Sequence, residues 1–164
     1  MHTHEEYMQL ALAEARKAAA MDEIPIGAVL VHEGKVIASA HNMRETWQDG
    51  TAHAEIIVIQ EACKKLARWR LSGCSLYVTV EPCPMCSGAI INSRIKRVVY
   101  GASDPKAGCC GGLTDLFALP FNHHPIIEKG LCEEEASALM RAFFESLRQK
   151  RLAAKKAKEE SCHE

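Results

Sequence analysis

The sequence has no apolar run long enough to span a bilayer, which excludes a transmembrane helix. Its first residues, Met1-His2-Thr3-His4-Glu5-Glu6, lack both the basic start and the apolar stretch of a secretory leader. It has no internal repeat and no low-complexity linker. It carries almost no net charge, formally −1, so bulk charge does not mark it as a nucleic-acid binder. What is left is one ordinary globular domain. At 164 residues, 48% hydrophobic, the chain is long enough for a real core and too short for two.

Cysteine is not scarce: there are eight. With nothing directing secretion, they read as reduced thiols of a cytoplasmic protein rather than a disulfide framework. Cys63, Cys74, Cys132 and Cys162 are scattered and read as core or surface positions. Cys109 and Cys110 are adjacent in a Gly-rich loop and read as two small residues in a tight bend.

The charge is uneven. Residues 148–164 hold a net +3, from Arg148, Lys150, Arg151, Lys155, Lys156 and Lys158 against Glu159, Glu160 and Glu164, so residues 1–147 hold −4. A basic end on a mildly acidic body suits contact with phosphate. Charge alone describes a solvated helix end just as simply.

Along the chain, Thr3-x-x-Glu6 predicts a capping box, and Met8, Ala11, Leu12, Ala15 and Ala19 predict a helix to about Met21. Pro25–His32 and Lys35–Asn42 predict a hairpin turning at Glu33-Gly34. Residues 43–50 read as a polar loop holding Trp47, which could stack on a base but is read first as covering the core. A second helix is expected over about 52–69, a buried strand over Ser75–Val80, and a third helix from Pro84 to about Ser93. Val98–Ala102 is expected to lie parallel to the preceding strand, joined to it by a helical crossover. A loop over 103–114, a helical turn and a weak strand near Pro125–Glu128 follow. A last helix opens at Glu133, with Ala136, Leu139, Met140, Phe143, Phe144 and Leu147 as its apolar stripe. The fold class is α/β: a three-layer α/β/α arrangement around a central mixed sheet of about five strands. The first hairpin is antiparallel, the rest is parallel, and helices cover both faces. The expected domain is 1–150, with 151–164 as its basic helix end.

Two short strings carry chemistry: His53-Ala54-Glu55 and Pro82-Cys83-Pro84-Met85-Cys86. His53, Cys83 and Cys86 are three ligands for one zinc per chain, and three protein ligands leave a catalytic position open. Cys83 falls at an N-cap with Pro84 at the first helical position, so both sulfurs meet the positive end of a helix, which favours thiolates. Residues two apart do not face each other inside a helix. His53 and Glu55 can therefore serve one site only if a helix starts near His53. A water on the zinc would become hydroxide, with Glu55 carrying its proton to a ring nitrogen and then helping ammonia to leave.

Other readings are open at this stage. Glu55 as a fourth ligand would close the site. A structural zinc could be completed by Cys109 or Cys110. Cys83-Pro84-Met85-Cys86 alone matches a redox motif, but that leaves His53-Ala54-Glu55 without a use.

Taken together, His-x-Glu and Pro-Cys-x-x-Cys, with 26 residues between Glu55 and Pro82, resemble the zinc-dependent cytidine and nucleobase deaminase superfamily. Within it, the chain is most similar to the bacterial tRNA-specific adenosine deaminases. The matching stretches include Ile24–Val29, Ala40-His41-Asn42, Thr51–Glu55, Leu76–Thr79, Glu81-Pro82-Cys83, Ser93-Arg94-Ile95, Tyr100-Gly101-Ala102, Asp104-Pro105-Lys106 and Phe121-Asn122-His123.

The resemblance implies a homodimer that converts adenosine to inosine at the wobble position of the tRNA anticodon loop. It implies Glu55 as the catalytic residue, and Asn42, Ala54, Asp104, Lys106 and Asn122 as substrate contacts. Asn42 would bond the flipped base, and Asp104 would shape the nucleotide pocket. The alternative is a deaminase of a free base or nucleoside such as guanine, cytosine or cytidine. Two departures stand out: cysteines and glycines over 107–112 where relatives often carry serine, and Glu145 where they often carry a basic residue.

Overall fold

In the computed structural model, which describes residues 2–162, the capping box is closed from both sides. Glu6 N–H donates to Thr3 Oγ1 (3.2 Å), and Thr3 N–H donates to Glu6 Oε2 (2.7 Å). Residues 163 and 164, the end of the expected basic extension, lie outside the described residues. The elements run α1 (His4–Ala20), β1 (Gly27–His32), β2 (Lys35–His41), α2 (Arg44–Trp47) and α3 (Ala54–Leu66). They continue through β3 (Cys74–Val80), α4 (Pro84–Asn92) and β4 (Arg97–Ala102) to a 3-10 turn (Leu116–Ala118), β5 (Ile126–Lys129) and α5 (Glu133–Ser161).

The sheet order is β2-β1-β3-β4-β5. β1 runs antiparallel to both β2 and β3, while β3, β4 and β5 are mutually parallel. The three-layer α/β/α arrangement is as expected, with the antiparallel part extending one strand pair beyond the hairpin. Both faces of β1, β3 and β4 are buried, which is why these strands read as unbroken apolar runs. Alternate residues go to opposite faces. Ala28, Leu30, Leu76, Val78 and Val98 pack under α3 and α4, with Val58 and Ile90 opposite them. Val29, Val31, Tyr77 and Val99 pack under α1, with Met8, Ala11 and Leu12 opposite them. Each fully buried Leu, Ile or Met here contributes about 1.5–3 kcal/mol.

Gly27 sets how closely α1 lies on the sheet. A Cβ there would stand 2.0 Å from the Ala11 carbonyl oxygen and 2.5 Å from the Ala15 nitrogen, both backbone atoms that cannot swing aside. Gly27→Ala is expected to destabilise the fold by about 1–3 kcal/mol through overpacking, read as a lower urea midpoint. An unchanged midpoint would show that α1 can lift without penalty.

Three expectations need correction. Residues 44–47 are helical rather than loop, because the buried Glu23 carboxylate accepts the Glu45 (3.2 Å) and Thr46 (2.5 Å) backbone N–H groups. Trp47 does not cover the core; it is 52% exposed on that short helix. On α5 only Ala136 is buried, and Phe144 stays 43% exposed, so the apolar stripe is partly open. The helix passes residue 150 without a break.

The topology places the functional strings. β1 opposes both β2 and β3, so the C-terminal ends of β2 and β3 share one edge of the sheet. α3 and α4 both start beyond that edge, where open α/β sheets bind ligands.

Candidate active site

His53 is the N-cap of α3 (φ −84°, ψ 149°), and Cys83 is the N-cap of α4 (φ −75°, ψ 174°), with Pro84 next in the first turn. Two helix N-termini therefore converge, as the spacing of the strings requires. His53 Nδ1 lies 3.6 Å from Cys83 Sγ and 3.6 Å from Cys86 Sγ. An ion bound tetrahedrally at ~2.3 Å from sulfur and ~2.0 Å from nitrogen would hold those atoms about 3.6 Å apart. The three side chains thus fit a metal ion in donor type and in spacing. They form the one close group of three potential ligands among the described residues.

Cys109 and Cys110 do not join that group. The Cys109 N–H donates to the Pro82 carbonyl (2.9 Å), and the Cys110 N–H donates to Glu81 Oε2 (2.8 Å). They act as loop residues, in keeping with the tight bend expected of them.

Glu55 stands in the first turn of α3, is 3% exposed, and is outside the close group of three. Its Oε1 is buried with no hydrogen-bond partner among the described residues. A buried acceptor without a partner is costly, by about 1–3 kcal/mol. Its retention beside a fitted ligand set points to a group that the oxygen meets only in the working site. Burial pushes the Glu55 carboxyl up from its ordinary value, which suits a group that must both take and return a proton near neutrality.

A hydrogen bond from the Cys86 thiol holds the Cys83 thiol far below its usual range, at about 4, with His53 adding to the effect. The same bond, seen from the other side, pushes Cys86 up. The contact with Cys83 also raises His53. In the metal-free protein Cys83 is therefore thiolate at neutral pH and Cys86 keeps its proton. Metal entry must expel that proton, and the His53 proton as well where the raised imidazole still holds one, so the apparent affinity rises with pH by at least about tenfold per unit. Competition titrations with a chelator between pH 6 and 8 check this. A flat profile would mean that Cys86 binds no metal.

The structure distributes the expected substrate residues unevenly. Asn42 is buried, and its Oδ1 accepts the Ala54 N–H (2.9 Å) from 12 positions away, capping α3 at the metal group. The Ala54 backbone amide is thereby engaged within the protein. Asp104 Oδ1 accepts the Lys106 (2.9 Å) and Ala107 (3.2 Å) N–H groups, so it shapes its own turn. Lys106 is exposed on a groove of about 750 Å³ that Phe144, Arg141, Arg148 and Arg151 of α5 also line.

Asn122 is placed elsewhere. It is exposed, one residue before His123, whose Nε2 meets the Ile95 carbonyl (2.7 Å) at the start of β4. Its part of the chain is thus anchored at the N-terminal edge of the parallel strands, opposite to the ligands. Within one chain, Asn122 is not brought to the metal group.

Similarity to known proteins agrees with this geometry. The model of the MafB19-like deaminase family matches residues 2–148. A tRNA-specific adenosine deaminase of Bacillus subtilis is 54% identical over 157 residues, covering 95% of this chain and 98% of its own length. The chain belongs to the tRNA-specific adenosine deaminase family. A solved structure from work on A-to-I editing by tRNA:A34 deaminases superposes with a TM-score of 0.77 at 49% identity, covering 82% of this chain and 98% of that one. A guanine deaminase of Bacillus subtilis superposes with a TM-score of 0.62 at 35% identity, covering 90% and 95%.

Within the family, the departures at 107–112 and 145 acquire a structural meaning. Gly108 and Gly112 leave room for the Glu81 carboxylate, since a Cβ at Gly108 would come within 2.3 Å of Glu81 Cδ and one at Gly112 within 2.6 Å of its Oε1. Glu145 pairs with Arg148 on its own helix, leaving Lys106, Arg141 and Arg151 as the positive charge on the same groove. Two residues of the deaminase escaped the sequence reading: Glu23, which caps α2, and Glu81, which holds the 104–112 loop. The available signal was a carboxylate inside an apolar stretch, Val80-Glu81-Pro82 in particular.

Proposed function

We propose that this chain deaminates adenosine to inosine at the wobble position of tRNA, using one zinc ion held by His53, Cys83 and Cys86 and a proton shuttle at Glu55. The observation that carries the chemistry is the buried, unpartnered Glu55 oxygen beside a ligand group of tetrahedral spacing. A zinc ion at that site supplies a polarised water acidic enough to lose a proton near neutral pH. Glu55 would take that proton and deliver it to a ring nitrogen as the carbon–oxygen bond forms; it would then take the second proton, from the newly attached hydroxyl, and pass it to the departing amino group. The carbon–nitrogen bond breaks, and adenosine and water become inosine and ammonia. Asn42 fixes the start of α3 and thereby the position of Glu55; its side-chain amide nitrogen donates to no described residue and remains for the base.

tRNA is favoured over a free base by the near full-length relative at 54% identity, against 35% for the guanine deaminase. The groove with Lys106, Arg141 and Arg151 adds a surface for phosphate, with Phe144 beside it. The anticodon loop is single-stranded, so extruding its base takes less energy than opening a duplex. If Asn122 touches RNA at this site, a second copy of the chain must present it, which fits the homodimer that the resemblance implies. No helix among the described residues is long and apolar enough to cross a membrane. The cytoplasm, which holds both tRNA and reducing conditions, is the expected location.

The test is to incubate the zinc-loaded protein with total tRNA and, separately, with guanine, cytosine and cytidine, and to assay inosine and ammonia. Inosine in tRNA is expected. Ammonia from guanine or cytidine with tRNA untouched would overturn the substrate and leave the chemistry standing.

A further inference from the structure

Glu81 is 4% exposed and forms no ion pair with a described residue. Its carboxylate is satisfied by three backbone N–H groups of one loop. Oε1 accepts from Asp104 (3.1 Å), and Oε2 accepts from Cys110 (2.8 Å) and Gly112 (2.9 Å). Bonds to an ionised acceptor are shorter and about twice as strong as neutral ones. The next residue, Pro82, takes a fourth bond from the same loop, from Cys109 N–H (2.9 Å). The loop thus hangs from the two residues that lead into the ligand Cys83. Its far side carries Lys106, whose backbone N–H is held by Asp104 Oδ1.

We infer that Glu81 is a positioning residue: it locks the 104–112 loop to the strand end bearing Cys83, and so fixes the turn of Lys106, where the RNA is held, without moving the groups at the reacting atoms. The inference deepens the tRNA reading above and rests on it for the identity of the substrate. The chemistry of the contact requires a carboxylate. A glutamine of the same shape has one acceptor oxygen and one NH2 group, and either orientation sets that NH2 against a backbone N–H. With the oxygen kept toward Cys110 and Gly112, the Asp104 N–H loses its partner. The fault then falls on the turn that holds Lys106, while His53, Cys83, Cys86 and Glu55 keep their places. Gly108 and Gly112 belong to the same device. A Cβ at Gly112 would also come within 2.4 Å of the Asp104 carbonyl oxygen, so neither position tolerates a side chain while Glu81 is bound.

The experiment compares wild type with Glu81→Gln in three measurements: zinc per chain, kinetics on a tRNA anticodon stem-loop, and amide hydrogen exchange. Glu81→Gln is expected to retain one zinc and a kcat within about threefold, while KM rises at least about tenfold, because a displaced Lys106 turn removes binding that ground state and transition state share. Faster exchange should be confined to the loop, with Asp104 foremost. Gly108→Ala, which presses on the carboxylate from the loop side, should reproduce the KM change, and the two substitutions together should add nothing further. A fall in kcat or zinc with KM unchanged would make Glu81 merely structural and overturn the inference. So would unaltered kinetics, or unaltered Asp104 exchange. If Glu81→Gln fails to fold, Gly108→Ala carries the same outcomes. If wild type ignores tRNA but deaminates a free base, the substrate reading fails separately, and the same KM comparison on that base still decides the role of Glu81.

Discussion

Replacing Glu55 with alanine is expected to leave zinc bound at one per chain while turnover falls by about 10²–10⁴-fold, the usual worth of a positioned acid–base group. The expectation separates two arrangements that the sequence leaves open. If Glu55 stands beside the metal, its removal deletes the proton carrier and spares the three ligands. If it is a fourth ligand, zinc goes with it. The structure favours the first, because the close group consists of His53, Cys83 and Cys86, and Glu55 Oε1 is left without a partner. A stability readout sharpens the case. Removing a buried acceptor that lacks a partner takes away a destabilising element, so the melting temperature of Glu55→Ala should hold or rise. A variant that loses zinc, or melts well below wild type, would make Glu55 a structural or ligand residue and would dismantle the proton shuttle. Metal analysis, calorimetry and single-turnover inosine assays on one preparation settle all three points.

That both strings fall at helix starts has a physical basis. The chemistry-bearing strings are local, and helix starts are local too: His-x-Glu and Pro-Cys-Pro-x-Cys each announce an N-terminus, and both helices begin there. The strands were equally legible where β1, β3 and β4 are buried on both faces and read as apolar runs. What escaped depends on partners distant in sequence. Glu81 meets Asp104, Cys110 and Gly112 across 23 to 31 positions, and no periodicity records such a bond. Glu23 reaches across 22 and 23 positions to cap a helix too short to be seen by pattern, and Trp47 is turned outward as a result. Asn122 was drawn toward the site by resemblance alone. The topology instead sends its segment to the far edge of the sheet, a place that only the strand order could disclose.

Cys86→Ser is expected to reduce bound zinc from one per chain to background and to abolish deamination altogether. Serine is nearly isosteric with cysteine, so the core around position 86, which is fully buried, should survive the change. What is lost is the soft sulfur donor and its anionic state, and without it two ligands cannot hold the ion against solvent. The stability effect follows from mass action: a ligand that binds only the folded chain at 1,000 times its Kd stabilises it by about 4 kcal/mol. Zinc-loaded wild type should therefore melt well above Cys86→Ser, and chelation should bring wild type down to meet it. The variant, in turn, should ignore added zinc. The two packed layers on either face of the sheet contain no other member of the ligand group, so the apo chain should still unfold cooperatively rather than arrive already unfolded. A Cys86→Ser protein that keeps its zinc would show that the ion is held by other residues. One that loses zinc yet still makes inosine would remove the metal from the reaction, and with it the reason for Cys83, Cys86 and His53 to meet at two helix starts.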